Sequence, residues 1–157
     1  MFKVGIIGPE ATGKSSLAQY LAKRYKGVYV PEYARTYVEQ KGSLDVNYDE
    51  LCAIARHQIE EMKLIAKSQE PIAFFDTELI VTKVWFDYAF GRAPEWLEEA
   101  IKQYPMDVYL LTYPDLPWTQ DGARYNGSDA MRMELFERYE AEIQALDIPY
   151  YIIEHAD

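Results

Sequence analysis

The fold is decided by one stretch of the sequence, Gly8-Pro9-Glu10-Ala11-Thr12-Gly13-Lys14-Ser15. This stretch matches G-x-x-x-x-G-K-[ST], the Walker A phosphate-binding loop. Its two glycines let the backbone curl so that successive N–H groups point at phosphate oxygens. We expect Lys14 to reach the β- and γ-phosphates of a nucleotide, and the Ser15 hydroxyl to be a ligand of Mg²⁺. The predicted nucleotide-binding residues are Gly8, Glu10, Ala11, Thr12, Gly13, Lys14, Ser15 and Ser16.

The segments on either side of this loop have the character that the motif requires. Phe2–Ile7 is short and apolar with β-branched residues, which predicts a buried parallel strand. Apolar residues recur at helical spacing from Leu17 to Tyr25, and Gly27 suits the C-terminal cap of that helix. A chance glycine turn between a strand and a helix is the alternative, and the complete motif with both flanks argues against it.

Composition restricts the class of protein. A chain of 157 residues predicts a single domain, 1–157, and a hydrophobic content of 49% argues against disorder. The net charge of −10 argues against a nucleic-acid partner, which needs a basic face. The single cysteine, Cys52, excludes an internal disulfide, and its apolar neighbours favour a buried structural thiol. No apolar run approaches the ~20 residues of a membrane span, and the first residues predict strand rather than signal peptide. We therefore expect a soluble, cytoplasmic protein.

The rest of the chain predicts alternating strands and helices. Further strands are expected at 28–30, 71–75, 108–111 and 150–153. Helices are expected at 48–67, from 76 to about 90, at 94–103 and at 129–146. Asn47 with Glu50 resembles a capping box, Gly91 a helix stop, and Ser128 an N-cap. The sequence therefore predicts an α/β fold, a five-stranded parallel sheet with helices on both faces.

Polar residues follow two of the predicted strands, where ligands bind in open parallel sheets. Asp76 is expected to hold Mg²⁺ through water, as a Walker B acid does, or to bind a substrate hydroxyl. Its alternative role is a helix N-cap, and the two are compatible. Glu32 is expected to be a general base on an acceptor hydroxyl, and Arg35 to bind the acceptor or its new phosphate. For both residues the alternative is a surface ion pair.

A polar loop after the fourth strand carries Asp121-Gly122-Ala123-Arg124, with Arg132 eight residues further on. Positioned arginines stabilise the charge that spreads over a transferring phosphoryl group, so this segment suits a lid. Ordinary solvated loop charge is the alternative. The lone His57 on a helix is expected to be structural or solvated, and two histidines with one cysteine do not provide a zinc cluster.

These segments together resemble the ribosylnicotinamide kinase domain of NadR-type bacterial proteins. The resemblance covers nearly the whole chain, through GPEATGKS, PEYAR, RHQ, FFDTELIVT, WTQDGAR and Arg132. The matching residues outside the Walker loop are Glu32, Tyr33, Arg35, His57, Gln58, Asp76, Thr77, Glu78, Thr82, Trp118, Asp121, Gly122, Arg124 and Arg132. NadR-type proteins carry an adenylyltransferase domain before the kinase, which we expect to be absent here because Met1 directly precedes the first strand.

The resemblance implies a P-loop kinase of the nucleoside and nucleotide kinase type, with ATP and Mg²⁺ as cofactors. The implied reaction is phosphorylation of nicotinamide riboside to nicotinamide mononucleotide, in NAD salvage. The residues expected to act in catalysis are Lys14, Glu32, Asp76, Arg124 and Arg132. Those expected to bind the acceptor are Glu32, Tyr33, Arg35, Asp76 and Thr77, and those expected at the metal are Ser15 and Asp76.

The nicotinamide ring of the riboside is a pyridinium cation, which aromatic faces and carboxylates attract. Tyr33, Trp85 and Tyr88 are expected near the acceptor side, with filling of the core as their alternative role. Two other functions remain open. One is a kinase for another nucleoside or small alcohol, and the other is a plain P-loop NTPase or a nucleotide-dependent binding switch.

Overall fold

The computed structural model describes residues 1–9, 12–43, 45–114 and 129–154. Its strands are β1 (Phe2–Ile7), β2 (Val28–Val30), β3 (Ile72–Asp76), β4 (Val108–Thr112) and β5 (Tyr150–Ile153). Its helices are α1 (Lys14–Arg24), α2 (Tyr33–Lys41), α3 (Tyr48–Lys67), α4 (Leu79–Phe90), α5 (Glu95–Gln103) and α6 (Asp129–Leu146). Within these ranges, no helix combines the length and apolarity that a membrane crossing requires.

The strands form one parallel sheet in the order β2-β3-β1-β4-β5. The first strand in the chain is therefore central, with β3 on one side and β4 on the other. In the register, Ile6 pairs with Asp76 and Ile7 with Leu111. The loop that leaves β1 consequently lies between the carboxyl ends of β3 and β4. The predicted α/β fold is confirmed.

Apolar side chains cover the sheet on both faces. On one face, Val4, Ile6 and Phe74 pack with Ala18 and Ala22 of α1. The larger core lies on the other face, where α3, α4, α5 and α6 contribute apolar side chains. Helices on both faces were predicted, and the two clusters confirm that arrangement. Cys52 packs at the edge of the larger core, half-buried rather than fully buried, and burial raises the pKa of its thiol.

Three helix-end predictions can be compared with the described residues. Asn47 and Glu50 form the predicted capping box at the start of α3, and Gly91 ends α4 with φ of 70°. The prediction for Gly27 is wrong in detail, because Lys26 takes the left-handed conformation at the end of α1, with φ of 54°. Gly27 donates its N–H to Ala22, and a Cβ there would lie 2.7 Å from the Ile72 carbonyl oxygen. Close approach to β3, rather than backbone handedness, is what requires glycine.

The sequence did not predict α2. Its residues carry no buried apolar stripe, and none of its side chains is fully buried. Pairing with α3 supports the helix instead, including a hydrogen bond from the Tyr37 hydroxyl to Glu50 Oε2 of 3.1 Å. The predicted cap Ser128 lies outside the described residues.

Candidate nucleotide-binding site

The Walker loop joins β1 directly to the N-terminus of α1. Gly13 occupies the N-cap position of α1 in the left-handed conformation, with φ of 81°, which glycine adopts without strain. A Cβ on Gly8 would overlap the Thr112 side chain, so glycine is also needed there. The open backbone N–H groups of the first helical turn make this end of α1 suitable for an anion. Glu10 and Ala11 lie outside the described residues.

A chain of hydroxyl groups fixes the Walker loop to the end of β4. Thr112 Oγ1 lies 2.5 Å from Thr12 Oγ1, and Thr12 Oγ1 donates to the Pro9 carbonyl at 2.7 Å. The Lys14 ammonium also donates to the Pro9 carbonyl, at 3.4 Å. Thr112 and Thr12 are both buried. Sequence reasoning missed Thr112, although its place at the end of an apolar strand was a usable signal.

Asp76 joins the Walker loop to β3. It is the last residue of β3 and is 1% exposed. Its Oδ2 accepts from the Ser15 hydroxyl at 2.5 Å and from the Tyr29 hydroxyl at 3.1 Å. Burial and the neighbouring carboxylate raise the pKa of Tyr29, so its hydroxyl remains a proton donor. The predicted N-cap role of Asp76 is wrong, because Glu78 is the N-cap of α4.

The pair Ser15–Asp76 fits a magnesium ion that is shared with nucleotide phosphates. Within the described residues, no group of three or more His, Cys, Asp or Glu side chains could hold a metal without other ligands. Mg²⁺ normally takes few protein ligands and completes its shell with water and phosphate oxygens. Ser15 gives its proton to Asp76, which leaves its oxygen lone pairs free to bind a cation. Asp76 would act on such an ion through the Ser15 hydroxyl.

The two residues after Asp76 are also buried and polar. Thr77 has φ of 70°, a conformation that is rare and strained for a β-branched residue. Its Oγ1 has no hydrogen-bond partner among the described residues. Glu78 accepts a hydrogen bond from the Ile80 N–H at 3.0 Å, and burial raises the pKa of its carboxyl to about 7. A strained residue with an unpaired buried hydroxyl, directly after the buried carboxylate of Asp76, is typical of a functional position.

The predicted acceptor residues lie at the same edge of the sheet, because β2 neighbours β3. Glu32 precedes α2 and is half-buried, and Arg35 is exposed on α2. In the described part of the chain neither residue has a hydrogen-bond or ion-pair partner, so the surface ion pair weighed for them is not formed there. Tyr33 stacks on His57 with ring centroids 3.5 Å apart and planes 12° apart. The Tyr33 ring therefore has one face already covered.

Two further aromatic residues expected near the acceptor lie on α4. Trp85 and Tyr88 follow Leu79 by six and nine residues on α4, about 9 and 14 Å along the helix axis from its start. The Arg138 guanidinium lies over the Tyr88 ring at 5.3 Å. At its end, Phe90 of α4 packs against Tyr48 at the start of α3, and the expectation for Trp85 and Tyr88 stays a prediction.

Of the two predicted catalytic arginines, Arg132 lies within the described residues. Arg132, in the first turn of α6, is 1% exposed, and its guanidinium lies 3.3 Å from the Asp129 carboxylate. Since it follows β4, it starts from the same end of the sheet as the Walker loop. Arg124, together with Trp118, Asp121 and Gly122, lies outside the described residues.

Comparison with known proteins gives this architecture a family. A family model described as an AAA domain matches residues 3–157. The chain belongs to this AAA domain family. Two curated relatives are the trifunctional NAD biosynthesis/regulator proteins NadR of Escherichia coli K12 and Salmonella typhimurium LT2, 27% and 26% identical over 157 residues. The chain spans 38% of the length of each, and the resemblance to NadR-type proteins is confirmed.

Solved structures agree with this assignment. A NadR protein in complex with NR is 26% identical to this chain. The two superpose with a TM-score of 0.76 over 96% of this chain and 43% of that protein. A NadR protein in complex with NAD and AMP-PNP is 21% identical, with a TM-score of 0.81 over 99% of this chain and 45% of that protein. Thymidylate kinase from Ehrlichia chaffeensis is 14% identical, with a TM-score of 0.69 over 99% of this chain and 88% of that one. The last two likenesses show the fold alone, and that fold is the nucleoside and nucleotide kinase type.

Proposed function

We propose that the chain is an ATP-dependent kinase that transfers a phosphoryl group to nicotinamide riboside. The observation that carries the proposal is the hydrogen bond of Ser15 to the buried Asp76, at the end of the strand that pairs with β2. Glu32 follows β2. In the proposed site, the nucleotide-binding residues and the acceptor-binding residues lie at the same edge of the sheet. A NadR protein that is 26% identical to this chain was solved with NR, which supports the choice of acceptor.

The nucleotide half consists of the Walker loop and Asp76. Loop N–H groups and the Lys14 ammonium would bind the β- and γ-phosphates. Ser15 would hold Mg²⁺, with Asp76 accepting the Ser15 proton. The ion supplies positive charge that neutralises the phosphate oxygens when it is bound. In the described residues Lys14 makes only a long hydrogen bond to Pro9, so little is lost when it turns towards phosphate.

The acceptor half consists of residues after β2 and β3. The acceptor hydroxyl oxygen forms a bond to the γ-phosphorus, the bond from that phosphorus to the leaving ADP oxygen breaks, and the hydroxyl proton passes to Glu32. Arg35 would bind the acceptor or its new phosphate, and Thr77 would use its unpaired hydroxyl on the acceptor. Arg132 would face the transferring group. The role of Arg124, the single domain and the cytoplasmic location stay predictions.

The acceptor preference can be tested through ring charge. Nicotinamide riboside carries a cationic ring, whereas its reduced form has nearly the same size without the charge, and uridine is a neutral nucleoside. A desolvated cation–π contact of ~2 kcal/mol corresponds to roughly thirtyfold in kcat/KM. We expect that preference for the cationic riboside, and we expect Tyr33→Leu to reduce it. Tyr88→Leu should reduce it as well, whereas Tyr20→Leu, at an exposed position on α1, is the control and should leave the preference unchanged.

The experiment is an acceptor panel in which ATP consumption and phosphorylated product are both measured. Nicotinamide riboside should raise ATP consumption and yield the mononucleotide in equal amount. If another nucleoside gives the higher kcat/KM, the chain is a kinase with a different acceptor. ATP hydrolysis that no nucleoside alters would favour a plain NTPase or a nucleotide-dependent switch, and would overturn the kinase proposal.

A further inference from the structure

Tyr29 touches the nucleotide site but has no part in the proposed reaction. It lies on β2, half-buried on the face that α1 covers. Its hydroxyl donates to Asp76 Oδ2 at 3.1 Å, and Ser15 donates to the same oxygen at 2.5 Å. In the described ranges the other oxygen, Asp76 Oδ1, is buried without a hydrogen-bond partner. The two hydroxyl groups are therefore what orients the Asp76 carboxylate.

The sheet register explains why a tyrosine can make this contact. Tyr29 pairs with Phe74, two residues before Asp76 on β3. Side chains two residues apart lie on the same face of a strand, about 6.6 Å apart along it. A tyrosine is long enough to cover that distance and to place a hydroxyl at the carboxylate. The first turn of α1, which carries Ser15, packs over the same face.

We propose that Tyr29 is a positioning residue for the metal site, acting through Asp76 on Ser15. A hydroxyl has one proton and two lone pairs, so its orientation decides what it offers a cation. With the Asp76 carboxylate fixed by Tyr29, the Ser15 proton is committed to Oδ2 and its lone pairs face the phosphate side. Without Tyr29 the carboxylate can rotate, and the Ser15 hydroxyl loses its fixed acceptor. This inference rests on the proposed function, because it requires a divalent cation bound with the nucleotide.

The chain contains a matched control for this contact. Tyr37 also donates its hydroxyl to a carboxylate, Glu50 Oε2, at 3.1 Å. That contact joins α2 to α3 and involves no residue of the Walker loop. Tyr37→Phe therefore measures the general effect of losing a tyrosine–carboxylate hydrogen bond, and Tyr29→Phe adds the specific effect on the metal site.

The test measures metal binding directly, with Mn²⁺ as the probe for Mg²⁺. Free Mn²⁺ is followed by electron paramagnetic resonance in titrations of the full chain with AMP-PNP present, and the Mn²⁺ bound by AMP-PNP alone is taken from the same titration without protein. Partners that orient a metal ligand typically change affinity by 10- to 100-fold, and Tyr29 lies one step further out. We expect Tyr29→Phe to weaken Mn²⁺ binding about tenfold and Tyr37→Phe to leave it within about twofold. Binding of AMP-PNP without metal should be the same in all three proteins.

A double-variant cycle with Ser15→Ala sharpens the test. If Tyr29 acts through Ser15, Tyr29→Phe should have little further effect on Mn²⁺ affinity once the Ser15 hydroxyl is gone. An equal loss with or without Ser15, or an equal loss in Tyr37→Phe, overturns the inference and leaves the proposed function intact. Wild-type protein that binds no Mn²⁺ with AMP-PNP overturns the proposed function, and this inference with it.

Discussion

Glu78 should make the stability of this protein fall as the pH rises through the range from about 4.5 to 7. Glu78 is 4% exposed, its carboxyl accepts hydrogen bonds from the Ile80 N–H and the Tyr109 hydroxyl, and burial raises its pKa from 4.5 to about 7. Between those two pKa values the folded protein keeps a proton that the unfolded chain has released. The folded state therefore binds more protons than the unfolded state, and the free energy of unfolding decreases with pH.

The size of this effect follows from the shift in pKa. A shift of one unit corresponds to ~1.36 kcal/mol, so the whole decrease attributable to Glu78 is roughly 3 kcal/mol. The stabilising contribution is complete below pH 4.5 and is lost by about pH 7 to 8. Tyr109, whose pKa is raised well above 10 by burial and by Glu78, stays neutral throughout and contributes nothing to this slope.

The perturbation is Glu78→Gln, which keeps an oxygen acceptor for the Ile80 N–H but cannot ionise. Urea unfolding at pH 5 and pH 8 gives the free energy of unfolding of both proteins. We expect wild type to lose roughly 2–3 kcal/mol more than the variant between these pH values. Glu99→Gln, at an exposed position on α5, is the control and should behave as wild type. Parallel pH dependences of wild type and Glu78→Gln would refute the reasoning.

Three further predictions concern activity. Lys14→Ala should lower ATP turnover by several powers of ten with a native circular dichroism spectrum, and turnover near wild type would contradict the Walker assignment. Glu32→Gln should lower kcat far more than it weakens ATP binding, since we propose that Glu32 acts on the acceptor. Lost ATP affinity with a normal kcat would instead place Glu32 at the nucleotide. Thr112→Val should raise the KM for ATP about three- to tenfold, the value of one hydrogen bond, while Thr112→Ser stays near wild type. Equal KM values for the Val and Ser variants would remove the role given to the Thr112 hydroxyl.

Local signals in the sequence predicted most of the fold. The strands, the Walker loop and the capping box of Asn47 with Glu50 depend on residues that are neighbours in the chain. The bounds of α3 and α6 agree with the prediction for the same reason. By contrast α2 has no apolar stripe, and its support comes from α3, which a local pattern cannot show. The left-handed backbone conformation of Lys26 was not predicted either, because the neighbouring Gly27 is the residue type that usually takes that conformation.

The candidate site was predicted less completely, for a physical reason. Asp76 and Ser15 could be placed together because the Walker motif implies that its loop and the end of a neighbouring strand meet. Tyr29 and Thr112 contribute side chains across the sheet, and those contacts depend on the order β2-β3-β1-β4, which the sequence does not state.

The buried segment Asp76-Thr77-Glu78 limits which substitutions can make this protein more stable without loss of activity. All three residues are at most 7% exposed, so the proposed chemistry and the packed core share the same positions. Apolar residues of similar size at Thr77 and Glu78 would remove the cost of burying an unpaired hydroxyl and a carboxyl. A glycine in place of Thr77 would remove the backbone strain at that position. A selection for heat resistance alone should therefore accumulate substitutions in this segment and lose activity as it does so. Protein engineers who want a more robust enzyme should hold these three positions fixed and look for gains elsewhere.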